Sequence, residues 1–326
     1  NVQSVQAKAE TKKQFENKVS VTGTLKSLEV TDLVTAKKVP MKIATLRIET
    51  GKGETHTAKM MAVKHFERDG VKTENKSYSA IETMQKEYVS IEDISENKAG
   101  EDAEATVVNV NGSMSINMYK NKAEKVVETN QIEARFVNRV KDVENAQFGA
   151  EFTLQTYLIS KGQRVIKNEE ETDEVTFKAA TIDYRGQAHP FEFTANDEYG
   201  VAEWIEDEVE LGQSLILQGL IINKFIVEQV ERSSSAGIGK AIVDTRREVE
   251  RKLLVEGIIP IEDEDDPKYI TEEEIKEANK KYEDKKTEVE ASTNGTKKTE
   301  VKKGVATSKP KAAKPTIEID DDDLPF

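Results

Sequence analysis

The chain has 326 residues, of which 34% are charged and only 6% aromatic, and its net charge is −14. This length fits two modest domains and a tail, and the composition predicts that part of the chain is disordered. The absence of cysteine excludes disulfides, cysteine–zinc sites and thiol catalysis, and it favours a reducing compartment. We find no apolar run near the roughly 20 residues of a membrane helix and no signal-peptide core, so we expect a cytoplasmic protein.

The sequence of the first half of the chain predicts a series of strands with one helix. Residues 1–17 are polar and predict an N-terminal arm. Ile81, Met84 and Tyr88 fall at helical spacing within a polar stretch and predict a short helix. Alternating or β-branched segments predict five strands. These begin at Lys18 and lie at Met41–Glu49, Thr55–Phe66, Thr106–Tyr119 and Ile132–Val140.

Three strands, a helix and two strands are the element order of an OB-fold, a five-stranded Greek-key barrel. The order recurs in the second half, with a helix predicted from Thr194 to about Glu208. Its strands are predicted at Glu151–Ser160, Glu174–Tyr184, Gln187–Thr194, Leu215–Ile222 and Lys252–Ile261. The segments Asn111–Met114 and Gln218–Ile221 occupy equivalent places in the two halves. We therefore predict a mainly β fold with two OB-fold-like barrels, in residues 18–147 and 148–266.

Three further segments follow from composition. Glu231–Thr245 contains Ser-Ser-Ser-Ala-Gly-Ile-Gly and predicts a flexible loop between the last two strands. Residues 267–290 predict a mostly solvated helix, because the stripe of Ile275, Ala278 and Tyr282 is narrow. Residues 291–316 predict a disordered basic linker, with seven lysines and one glutamate between Lys297 and Lys314. An acidic segment, residues 317–326, ends the sequence.

Binding of single-stranded nucleic acid requires a basic groove and aromatic faces on which bases stack. The candidates are basic or aromatic residues in predicted strands or at strand ends. They are Lys42, Arg47, Lys59, Lys64, Tyr119, Lys120, Lys122, Arg135, Tyr157, Lys161, Arg164, Lys178, Tyr184, Arg185, Lys224 and Phe225. We expect stacking from Tyr119, Tyr157, Tyr184 and Phe225, and core packing for Phe66, Phe136, Phe152 and Phe193.

Catalytic and metal-binding patterns are weak. The three histidines, His56, His65 and His189, lack the spacing of a zinc site. Gly237-Ile238-Gly239-Lys240 hints at a phosphate-binding loop, but Ser234 and Ala241 stand where that motif requires Gly and Ser or Thr. We therefore expect no enzyme activity, no catalytic residues, no metal and no cofactor.

The most informative segment is the acidic run at the end of the sequence. Four aspartates lead into two large apolar groups, and we expect the last residue to carry a free carboxylate. A basic, pocketed surface of a partner captures such chemistry. The residues are Asp320, Asp321, Asp322, Asp323, Leu324, Pro325 and Phe326. The segment resembles the C-terminal tip of bacterial and bacteriophage single-stranded DNA-binding proteins (SSBs).

The resemblance implies a protein that coats single-stranded DNA during replication, recombination and repair and recruits partner proteins through its tip. In that reading the ring of Phe326 enters a pocket, Pro325 limits the entropy lost on binding, and Asp320–Asp323 steer towards a basic rim. The body fits a bacteriophage protein in the cytoplasm of a bacterial host, and two barrels per chain allow a homodimer. Leucine at 324 and the lysine-rich linker depart from the usual pattern of the family.

The charge of the body supports other hypotheses. Residues 1–260 hold 35 basic and 43 acidic side chains, so DNA binding requires the basic ones to be segregated onto one face. An adaptor that mimics an SSB tail and captures replication, repair or defence proteins, without binding DNA, is the alternative. A subunit of an enzyme whose catalytic chain is separate is a third, weaker one.

Overall fold

The structure is a computed structural model, and it describes residues 13–68, 70–167, 169–231 and 243–292. The fold is mainly β, as the sequence predicts. Among the residues described, eleven strands form one sheet and two short strands form a separate hairpin. The strands are β1 Asn17–Val34, β2 Pro40–Gly51, β3 Glu54–Val63, β4 His65–Arg68, β5 Val71–Glu74, β6 Val107–Lys120, β7 Val126–Arg139, β8 Gly149–Leu158, β9 Gln163–Lys167, β10 Glu170–Ile182, β11 Ala188–Asn196, β12 Ser214–Glu231 and β13 Val243–Ile261.

Four α-helices accompany the strands among the described residues. They are α1 Lys76–Glu87, α2 Ile91–Ser95, α3 Val201–Asp207 and α4 Glu272–Ala291, and a 3₁₀ turn at Asp197–Tyr199 precedes α3. Asn75 caps α1 and Thr271 caps α4, each accepting a hydrogen bond from a backbone N–H of the first turn. Thr271 and Glu274 form a capping box, in which the Glu274 carboxylate accepts a hydrogen bond from the Thr271 N–H.

The strand pairings form two closed circuits. In the first, β1 pairs with β2, β2 with β3, β3 with β7 in parallel, β7 with β6, and β6 with β1. In the second, β8 pairs with β10, β10 with β11, β11 with β13 in parallel, β13 with β12, and β12 with β8. Antiparallel pairing of β1 with β8 joins the circuits side by side.

Alternation along the strands explains which side chains are buried. In β1, Val19, Val21 and Leu25 face the core, while Thr22 and Thr24 alternate with them on the other face. One hydrophobic cluster includes buried residues from both circuits. Phe152 and Phe193 lie in it, as predicted, with ring centroids 5.8 Å apart.

Several element boundaries differ from the sequence prediction. The predicted strand Thr55–Phe66 ends at Val63, because Lys64 bends the chain and donates its N–H to the Pro40 carbonyl, and β4 then starts a new hairpin. The second-half helix starts later than predicted, since β11 continues to Asn196. Most of the predicted loop Glu231–Thr245 lies outside the described residues, but the strands on both sides of it are longer than their hydrophobic patterns indicated.

Helix α4 is more tightly held than a solvated helix would be. Its narrow stripe, Ile275, Ala278 and Tyr282, is buried and belongs to the hydrophobic cluster. Helix α4 contacts strands of both circuits, and its side chains outside this stripe are exposed or only partly buried. Its last turn is held where Lys120 donates to the Ser292 carbonyl.

Candidate functional site

The ends of β12 and β13 form a two-stranded ribbon, residues 223–231 paired with residues 243–251. Asn223 is opposite Arg251, Phe225 is opposite Val249, and Val227 is opposite Arg247. Directly opposed residues of an antiparallel pair lie on the same side, and so does every second residue along a strand. These three pairs therefore share one face of the ribbon, which we call the arginine face.

The arginine face is exposed and carries aromatic, aliphatic and basic groups. The relative exposures of Phe225, Val227 and Val249 are 47%, 53% and 48%, and Arg247 and Arg251 are exposed. Arg251 donates from Nε to Oδ1 of Asn223 at 3.1 Å. Within the described part of the chain, neither arginine forms an ion pair with a carboxylate.

Two carboxylates that alternate with these pairs along β13, Glu248 and Glu250, lie on the other face of the ribbon. There Lys224 is opposite Glu250, and Ile226 is opposite Glu248. Strand alternation thus separates the charges locally: two guanidinium groups and a phenyl ring face one way, and Glu248 and Glu250 face the other. A chain with a net charge of −14 can in this manner present a locally basic surface.

The arginine face continues onto the first circuit. The Phe225 N–H donates to the Gly53 carbonyl at 2.8 Å, and the Asn223 side-chain amide donates to the Thr55 carbonyl. Gly53 has φ of 75°, and a Cβ there would lie 2.8 Å from the Phe225 carbonyl oxygen, so only glycine permits this approach. The pairing of Lys224 with Glu54 places Thr55 on the same side as Asn223.

Two predicted basic residues lie on this continuation. Thr55, Thr57 and Lys59 alternate on the outer side of β3, and the β2 register sets Arg47 opposite Thr57 and Thr45 opposite Lys59. Arg47 and Lys59 are both exposed. The sequence therefore placed these two correctly in strands, and the structure brings them to the outer face of β2 and β3. An ion pair with Glu92, at 3.6 Å, partly neutralises Arg47.

Other first-half candidates lie elsewhere. Lys42 is buried and donates to Oδ1 of Asp32 at 2.8 Å and to Gln85. Burial alone would lower the pKa of Lys42, but the hydrogen bond and charge of Asp32 outweigh it and raise that pKa above its ordinary value. Lys64 is exposed in the bend after β3. Lys42 therefore serves the interior of the fold, away from the exposed face of β2 and β3.

A second group of candidates surrounds the β6–β7 turn. Tyr119 is 44% exposed and Lys122 is exposed, whereas Lys120 lies 3.8 Å from Glu124 and donates to the Ser292 carbonyl. Arg135 is exposed and lines a cavity of about 210 Å³ between the circuits. Phe136, predicted to be in the core, is 65% exposed, because a bulge in the β6–β7 pairing turns it to the outer side of the sheet.

The second-half candidates are scattered as well. Arg164 is held by Asp197 at 3.0 Å and by Glu206, and this pairing raises its pKa above the ordinary value. Tyr157 and Tyr184 are half-buried, and burial raises the pKa of both phenols. The Arg185 guanidinium lies 5.0 Å from the centre of the Tyr184 ring. Lys161 and Lys178 are exposed away from the ribbon.

The structure therefore brings together a subset of the predicted residues: Phe225 on the arginine face, with Arg47 and Lys59 on its continuation. Lys224 is on the ribbon but on its opposite face. The sequence prediction missed Arg247 and Arg251. Their signal was the alternation Arg247-Glu-Val249-Glu-Arg251, in which every second residue is acidic. The acidic segment Asp320–Phe326 lies outside the described residues.

The described residues contain no cluster of three His, Asp or Glu side chains that could hold a metal ion. None of the helices in the described ranges is long and apolar enough to cross a membrane.

The geometry described above defines the class of the molecule, which is a mainly β protein with an exposed basic and aromatic ribbon. The profile of the YorF family matches residues 16–294, and the chain belongs to that family. No curated protein sequence matches it.

Three solved structures are similar over most of the chain. The wild-type single-stranded DNA-binding protein from Thermus aquaticus has a TM-score of 0.44 and 12% identity, covering 77% of this chain and 95% of that one. A deletion mutant of the Thermus aquaticus protein has a TM-score of 0.44 and 14% identity, covering 77% and 97%. A Replication Protein A heterotrimer bound to ssDNA has a TM-score of 0.17 and 11% identity, covering 76% and 67%.

Proposed function

We propose that this protein binds single-stranded DNA, and that each strand circuit is a five-stranded OB barrel. The pairing order of each circuit supports the second part: first strand to second, second to third, third to fifth in parallel, fifth to fourth, and fourth back to first. In each circuit a helix lies between the third and fourth strands, α1 in one and α3 in the other. We place the barrels at residues 18–147 and 148–266.

The arginine face is the observation that carries the proposal. Sequence-independent binding of a single strand needs cations that contact phosphates and flat rings on which bases stack. Arg247 and Arg251 supply the first and Phe225 the second, on an exposed face whose three residue pairs from Asn223–Arg251 to Val227–Arg247 include no carboxylate. Arginine also stacks on bases through its planar guanidinium. In this proposal the strand continues past Thr55 towards Lys59.

The remaining parts of the proposal rest on the acidic segment. Asp320–Phe326 would recruit replication, recombination or repair proteins, as its resemblance to the SSB tip implies. We further propose a non-enzymatic, bacteriophage-encoded protein that acts in the cytoplasm of a bacterial host, without a cofactor, as a monomer or homodimer. The adaptor without DNA binding is the second candidate, and the excess of acidic over basic residues in the body favours it.

Substitution on the arginine face tests the proposal. We expect Arg247→Ala with Arg251→Ala to weaken binding of a fluorescein-labelled oligothymidylate, measured by fluorescence anisotropy. Each lost phosphate contact should reduce the slope of log K against log salt by about 0.7. Lys224→Ala is the matched control, because Lys224 lies on the opposite face of the same ribbon and its loss should leave the slope nearly unchanged.

The same assay tests stacking with a second matched pair. Phe225→Ala should weaken binding by about 1–3 kcal/mol, the usual contribution of one stacked base. Phe136→Ala removes an equally large, exposed ring outside the ribbon and should have little effect. Equal losses for both members of either pair would contradict a site on the arginine face.

A further inference from the structure

A cavity of about 330 Å³ opens on the second circuit, away from the arginine face. It lies between the start of α3 and the last part of β13. The lining residues on one side are Tyr199, Gly200, Val201 and Trp204, and those on the other are Glu256, Gly257, Ile258 and Pro260. None of the predicted DNA-binding residues borders this cavity.

Two aromatic rings form the wall of the cavity. Tyr199 is the last residue of the 3₁₀ turn and is 60% exposed. Trp204 is partly buried and packs against the hydrophobic cluster, which fixes its position. Trp204 is also the only tryptophan in the sequence. The faces of such rings carry negative electrostatic potential and attract cations.

Glu256 is the only charged residue among those that line the cavity. It is exposed, and it forms no ion pair with any residue that the structure describes. The charge of Glu198 and its hydrogen bond raise the pKa of Tyr199 above its ordinary value, and the charge of Glu256 adds a smaller contribution in the same direction. The segment Asp197–Glu210 has no lysine or arginine. Two of its carboxylates, Asp197 and Glu206, are paired with Arg164.

We propose that this cavity binds a lysine or arginine side chain presented by a basic segment of a partner protein. The cation would lie against Tyr199 and Trp204 while the carboxylate of Glu256 pairs with it. Aromatic faces and a carboxylate without an ion pair complement an ammonium or guanidinium group and repel phosphate. The site is thus separate in chemistry from the arginine face, and it does not depend on DNA binding.

Trp204 gives a direct readout in the full-length protein. We titrate an acetylated and amidated tetralysine peptide and record tryptophan fluorescence. We expect a saturable change that weakens as salt is raised. Glu256→Gln should weaken the apparent affinity at least fivefold. The same peptide with every ε-amine acetylated has the same backbone without the charges and should cause no change.

Glu283→Gln is the control for general attraction to an acidic protein, because Glu283 is an exposed carboxylate on α4. Equal losses in Glu256→Gln and Glu283→Gln would overturn the proposal, as would a change that does not saturate. A response that appears only when the chain is truncated after Ser292 would overturn it in favour of the chain's own lysine-rich segment, Lys297–Lys314, as the occupant.

Discussion

At the scale of single residues, His189 uses both ring nitrogens, and the bond at one of them joins the two circuits. Its Nδ1 accepts the N–H of Ile116 at 3.0 Å, and its Nε2 lies 3.1 Å from Oδ2 of Asp183. Because Nδ1 must accept, the ring proton is on Nε2 and is donated to Asp183. Burial alone would raise the pKa of Asp183, but the bonds from His189, Gln187 and Arg185 lower it. This role could not be predicted from the sequence pattern, since the partners lie 73 and 6 residues away.

The burial of a second histidine, His56, leads us to predict how the stability of the fold depends on pH. His56 is 2% exposed, and burial lowers its pKa from the ordinary value of 6.5, although Glu54 acts in the opposite direction. The folded state therefore holds the neutral form, and its stabilising contribution is present above pH 6.5 and lost as pH falls below it. We expect the urea midpoint of the wild type to fall between pH 7 and pH 5, and the midpoint of His56→Gln to fall less.

Glu54→Gln is the control for the negative charge near His56, because Oε1 of Glu54 lies 3.5 Å from Nε2 of His56. Removing this carboxylate should lower the pKa of His56 further and so increase the pH dependence. Identical pH profiles for the wild type and His56→Gln would show that another group controls this range.

At the scale of elements, the two circuits share a structural feature, a glycine at a β-bulge that the partner strand approaches closely. Gly112 in β6 and Gly219 in β12 each lie at a β-bulge. A Cβ at Gly112 would lie 1.9 Å from the Glu133 carbonyl oxygen, and one at Gly219 would lie 1.8 Å from the Leu254 carbonyl oxygen. The partner strand thus approaches too closely for any side chain, which is why the two equivalent segments seen in the sequence each contain a glycine.

Substitution of these glycines tests whether the close approach of the partner strand requires glycine. We expect Gly112→Ala and Gly219→Ala each to lower the free energy of unfolding by about 1–3 kcal/mol, because the partner backbone must move. Gly149→Ala should be neutral or slightly stabilising, since a Cβ there meets nothing within 4 Å. Urea unfolding measures all three, and a neutral result for both bulge variants would contradict the close approach.

The elements also show where the sequence could and could not predict the structure. Strands with one buried face, such as β1, were predicted because burial imposes hydrophobic alternation. The ribbon at the ends of β12 and β13 was not predicted from the sequence. Both of its faces are exposed beyond the core, so its residues alternate in charge and not in hydrophobicity. The packing of helix α4 could not be predicted, because the sequence shows the width of its apolar stripe but not the surface of both circuits against which the stripe packs.

At the scale of the whole molecule, charge is distributed by surface. The protein is acidic overall, yet the three residue pairs that define the arginine face include no carboxylate, and the cavity at Glu256 has no basic lining residue. Long-range repulsion of DNA by the net charge of −14 is screened within about 8–10 Å at physiological salt, so local charge decides where phosphates bind. Net charge alone therefore does not exclude binding of single-stranded DNA.

The most direct test of the proposed function is the affinity of the full-length wild-type protein for a labelled oligothymidylate, measured by anisotropy across a salt series. We predict a dissociation constant below micromolar at low salt, with log K falling linearly with log salt by about 0.7 for each phosphate contacted. No binding at low salt would contradict the account and favour the adaptor instead.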